Sequence, residues 1–114
     1  MLPSIAAVIL LLSPLQDPPR TTPVTDGEHA QCVAAAVTML HNLDGMEQEG
    51  IPVDEVAELR QMRTDSTRLL ESYRSRMTGP EGQVFLQRSM DAVDSLTGMT
   101  GGQVESLIAS CLPE

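Results

Sequence analysis

The chain has 114 residues, with 16 acidic side chains, seven arginines, no lysine and a formal net charge of −9. This length allows one domain. The acidic balance argues against nucleic-acid binding, which needs clustered positive charge, and one Tyr and one Phe cannot form a base-stacking platform.

Residues 1–16 carry no charged side chain, and Ile5 to Leu12 forms an unbroken apolar run. An eleven-residue helix through Leu15 spans about 16 Å, roughly half of a ~30 Å hydrocarbon core. That suits the apolar stretch of a signal peptide better than a membrane span. Export to the periplasm or to the medium is therefore expected, with membrane contact confined to residues 1–16 if they stay attached. Residues 17–24, with Pro18, Pro19 and Pro23, read as an extended spacer, because proline lacks an N–H and restricts its predecessor. Residues 25–114 form the expected helical domain.

From Thr25 onward apolar residues recur at helical spacing and strand-like alternation is missing. Thr25 to Glu28, Thr78 to Glu81 and Thr100 to Gln103 each match a capping box, in which hydroxyl and acid or amide exchange hydrogen bonds with the first turn. The first helix is predicted over Asp26 to Glu49. His29, Cys32, Val33, Ala36, Met39, Leu40, Leu43 and Met46 share one face, Gly45 lies inside and Gly50 is the C-terminal cap.

A second helix is predicted over Asp54 to Met77, with Val56, Leu59, Met62, Ser66, Leu69, Leu70, Tyr73 and Met77 facing inward. A third runs over Gly79 to Thr97, burying Phe85, Leu86, Ser89, Ala92, Val93 and Leu96. A fourth runs over Gly101 to Leu112, burying Val104, Leu107, Ile108 and Cys111. Short connections predict an all-α, antiparallel four-helix bundle in up-down-up-down order with a short last helix.

In that order Cys32, near the start of the first helix, and Cys111, near the end of the fourth, share a pole and project from apolar faces. A Cys32–Cys111 disulfide is expected, and it staples a core thin in large side chains. The alternative is a zinc or copper site of His29, Cys32 and Cys111, with Glu28 or Glu114 as a fourth ligand. The pairing H-x-x-C has no second paired motif, and exported thiols usually oxidise.

His41 falls on the solvent side of its helix. The seven methionines read as core filler, since no Met-x-x-Met or Met-His cluster of soft ligands occurs. Five arginines lie between Arg60 and Arg76, on a helix that begins with acids, the order a helix dipole favours. Arg63 and Arg74 flank the apolar stripe, where they can pair with acids of a neighbouring helix. Gly101-Gly-Gln103 matches a release-factor tripeptide but sits in a capped helix start. No nucleophile elbow, phosphate loop, zinc-protease, EF-hand or haem-attachment motif is present.

In size, expected compartment and cysteine count the chain resembles small exported all-helical bacterial proteins, among them the acid-stress periplasmic chaperones. The resemblance implies a binding role and carries over no residue. The sequence thus points to a non-enzymatic envelope protein with a structural, interaction or chaperone-like role. No cofactor is expected, and its protein partner is not specified.

Overall fold

The computed structural model describes residues 22–113, and its regular structure is entirely helical among them. The expected signal segment, most of the spacer and Glu114 lie outside the described residues. The described residues form four α-helices: α1, Asp26–Gln48; α2, Ala57–Ser72; α3, Gly79–Val93; and α4, Gly101–Cys111. None of these helices is long and apolar enough to cross a membrane.

Helix α1 starts and stops by local chemistry. The Thr25 hydroxyl accepts the Glu28 N–H at 3.1 Å, and the Glu28 carboxylate accepts the Thr25 N–H at 3.0 Å. At the other end Gly50 takes φ +93°, a left-handed conformation that favours glycine. There the Gly50 and Ile51 N–H groups return to the Glu47 and Met46 carbonyls, the paired bonds of a Schellman cap.

The middle of α1 is buried all round. Cys32, Val33, Ala34, Ala35 and Ala36 are consecutive and enclosed, and five successive residues sweep the whole helical circumference. An apolar helix of this kind belongs at the centre of a fold. The alanines leave little side chain between backbones, so α2, α3 and α4 all pack on α1. Helix α4 also packs on α2. Helix α3 instead leans on α1 and on the turn that precedes it, with little contact to α2 or α4. A regular four-helix ring would place α3 beside both, so α1 is the hub of this domain.

The predicted second helix is three pieces. A 3-10 turn at Val53–Glu55 is followed by Val56 in an extended conformation, then α2, then a second 3-10 turn at Arg74–Met77. The break moves the phase of the apolar stripe. Val53 is fully buried, whereas Val56, expected inside, is 39% exposed. Ser66, Leu69 and Tyr73 are buried as expected, with Leu59, Met62, Leu70 and Met77 packed at the margin.

Helix α3 ends at Val93, and the predicted last turn is a 3-10 turn at Asp94–Leu96 that buries Leu96. Its predicted capping box does not form. Gly79 has φ +73°, which turns the chain away from the geometry that brings the Glu81 N–H to the Thr78 hydroxyl. That hydroxyl donates instead to the Ser75 carbonyl at 3.2 Å. Helix α4 keeps its box, with the Gln103 N–H on the Thr100 hydroxyl at 3.1 Å and the Thr100 N–H on the Gln103 amide oxygen at 2.8 Å. The buried Ser66 and Ser89 are satisfied within their own helices, donating to the carbonyls of Met62 and Phe85.

Arg63 ties the far end of α1 to α2. It donates to Glu47 at 2.6 Å and to Asp54 at 3.0 Å, with Asp44 at 3.5 Å. The Glu47 carboxyl is held below its ordinary range, chiefly by the Arg63 hydrogen bond. Arg74, by contrast, pairs within its own stretch of chain, with Glu71 at 2.6 Å.

Candidate functional site at the disulfide end

The first turns of α1 meet the end of α2 and the end of α4 at one pole. Cys32 and Cys111 are joined there by a disulfide, with their Cα atoms 5.9 Å apart. Both project from apolar faces, at 1% and 8% exposure, so the bond is shielded from exchange with solvent thiols.

Beside the disulfide lies a cluster of rings and cations. His29 is half-buried, and its Nδ1 is 2.5 Å from the Tyr73 hydroxyl. The His29 and Tyr73 rings meet edge to face at 5.4 Å, and Tyr73 stacks on Phe85 at 5.9 Å. The Arg76 guanidinium lies 4.6 Å from the Phe85 ring centre and 5.9 Å from that of Tyr73, within cation–π range. Arg76 also donates to Asp26 at 2.9 Å, and Arg88 lies 3.8 Å from the same carboxylate.

These surroundings fix protonation. Burial and then the nearby Arg76 charge lower the His29 pKa below 6.5, and Asp26 and Glu28 only partly oppose them. Burial raises the Tyr73 pKa above 10.0, opposed in part by Arg76. At neutral pH the imidazole is therefore neutral and the phenol keeps its proton. Nδ1 and the phenol therefore share one hydrogen bond, whose direction follows the imidazole tautomer.

Two clefts flank Arg76. One, of about 560 Å³, is lined by His29, Tyr73, Arg76, Cys111 and Leu112 together with Pro23 and Pro113. The other, of about 600 Å³, is lined by Asp26, Arg76, Phe85 and Arg88 with Thr78 and Glu81. Both volumes suit a small ligand with apolar and polar parts. The first offers an apolar wall, a neutral imidazole and a guanidinium. Its serine, Ser72, donates to the Leu69 carbonyl at 2.6 Å.

The expected cysteine pair is thus joined, and His29 sits at the same pole. As a metal site, His29, Cys32 and Cys111 lose two donors, because both sulfurs are committed to the disulfide. Glu28 is engaged in the α1 cap, where the Thr25 N–H holds its carboxyl below the ordinary range. Among the described residues no group of three His, Cys, Asp or Glu side chains is placed to hold a metal. His41 is exposed, as its helical phase predicts.

Sequence reasoning missed the joining of His29, Tyr73, Phe85 and Arg76. Each has a local reading: a histidine on the apolar face of the first helix, two inward-facing aromatics and an arginine near a helix end. The signal that unites them is the 3-10 turn Arg74–Met77, which swings Arg76 back over the rings. Comparison with protein-family models, characterised proteins and solved structures finds no match to this chain.

Proposed function

We propose that this is a small exported protein of the cell envelope or the secreted fraction that acts by binding or as a structural component, without catalysis. The observation that carries this reading is the Cys32–Cys111 bond between the first and last helices. A buried disulfide closing nearly a whole domain belongs to an oxidising compartment. The apolar run Ile5 to Leu12 supports the same compartment. An up-down-up-down order of the helices fits the pairing of Cys32 with Cys111, of His29 with Tyr73 and of Glu47 with Arg63. Within this reading the cleft beside His29 and Arg76 is the favoured contact site.

Fractionating the native host, with thiols trapped at lysis, tests the proposal. The expected result is oxidised protein in the exported fraction. Reduced protein in the cytosol overturns it. A chaperone-like role further requires apolar surface to appear in acid. Dye binding and client-holding activity that stay unchanged between pH 7 and pH 2 remove that role and leave the structural or interaction role.

A further inference from the structure

Away from the disulfide pole, α4 carries an ionisable group against its packed side. Glu105 lies between the exposed start of α4 and the buried Leu107 and Ile108. Its Oε1 atom is shut off from solvent and has no hydrogen-bond partner among the described residues. On α2, which packs on α4, the Asp65 side chain is only 14% exposed. Asp65 is already engaged, accepting from the Gln61 amide at 2.8 Å, with Arg68 at 3.8 Å on its other side. Among the described residues no cation pairs with Glu105.

We propose that Glu105 makes the seating of α4 on α2 proton-linked, so that α4 packs more tightly once the Glu105 carboxyl takes up a proton. An ionised carboxylate in that position has one oxygen stripped of water with no donor among the described residues, and the Asp65 charge acts against it. Neutralising it removes both costs together. Burial and the Asp65 charge accordingly raise the Glu105 pKa above 4.5. Asp65 of α2 is the charged group that acts on it. No charged group of α1, the other helix packed on α4, contributes to the displacement.

A folded-state pKa above the unfolded value means that the folded chain binds the proton more tightly. The contribution is fully present below about 4.5 and is lost as pH rises through the folded-state value. The disulfide holds the far end of α4 to α1 throughout. The end of α4 that loosens at neutral pH is therefore the one starting at Gly101. This inference is independent of where the protein resides.

The test is carboxyl-carbon NMR titration of the oxidised full chain, with urea unfolding of wild type, E105Q and D65N at pH 5 and pH 7. Glu105 is expected to titrate above the ordinary glutamate range, and D65N to lower its midpoint. E105Q is expected to be more stable than wild type at pH 7, with that advantage shrinking at pH 5. Amide exchange at residues 101–105, corrected for intrinsic rate, is expected to slow in wild type at pH 5. A Glu105 midpoint at or below 4.5, or an E105Q advantage that does not change with pH, overturns the proposal. If E105Q fails to fold, the wild-type titration and D65N decide the matter.

Discussion

Single side chains in this domain differ sharply in whether their polar atoms are satisfied. Ser66 and Ser89 bury hydroxyls at almost no exposure and return them to their own helix carbonyls. Thr38, in α1, buries its hydroxyl with no partner among the described residues. An unpaired buried hydroxyl costs about 1–3 kcal/mol, and valine has nearly the same shape. Thr38→Val is therefore expected to stabilise the domain by about 1 kcal/mol in urea unfolding. The opposite holds at Tyr73, whose hydroxyl bridges α2 to His29. Tyr73→Phe is expected to cost about 1 kcal/mol, because the half-buried imidazole loses its hydrogen-bond partner. Periodicity identified Tyr73, Phe85, Cys32 and Cys111 as inward-facing, and they are buried. It did not reveal which of them touch, because contacts across helices depend on backbone breaks that periodicity does not register.

Helix ends were legible wherever the signal was purely local. Two of three capping boxes form, at Thr25 and Thr100, and Gly50 ends α1 in the left-handed conformation. The third fails at Thr78 because the next residue, Gly79, leaves helical geometry. The three threonines should therefore behave differently. Thr25→Ala and Thr100→Ala are each expected to cost about 1 kcal/mol, and Thr78→Ala only a few tenths, in chemical denaturation. The breaks at Val53–Val56 and Arg74–Met77 were not legible, because the residues there keep an apolar rhythm that a continuous helix would also show.

Gly82 marks another feature hidden from pattern. A Cβ at this position would lie 2.4 Å from the Met77 carbonyl carbon, so α3 packs directly on backbone. Gly82→Ala is expected to destabilise by at least about 2 kcal/mol despite the helix preference of alanine. A thermal melt that matches wild type would show that this close approach is not needed.

For the molecule as a whole, the small residues of α1 and the disulfide are complementary. Alanines let three helices reach one central helix but leave few large apolar groups to hold them. The Cys32–Cys111 bond spans a sequence separation of 79 and so closes nearly the entire described chain. The chain-entropy relation gives about 4.5 kcal/mol for such a loop. That is a large share of a typical net stability of about 5–15 kcal/mol.

The pH dependence has two opposing parts. Glu28 and Glu47 have lowered pKa values, so their stabilisation is present above about 4.5 and lost as pH falls below it. His29, also lowered, withdraws its contribution as pH falls below 6.5, while Glu105 acts in the reverse sense. Glu28→Gln is accordingly expected to flatten the acid limb of the stability profile.

The central claim is that the two sulfurs, placed by the first and last helices, are joined in the native protein. Intact mass after alkylation of protein taken from its native compartment tests it directly. The predicted result is no alkylated cysteine without reductant and two after reduction. Two alkylated cysteines before any reductant is added would contradict the account.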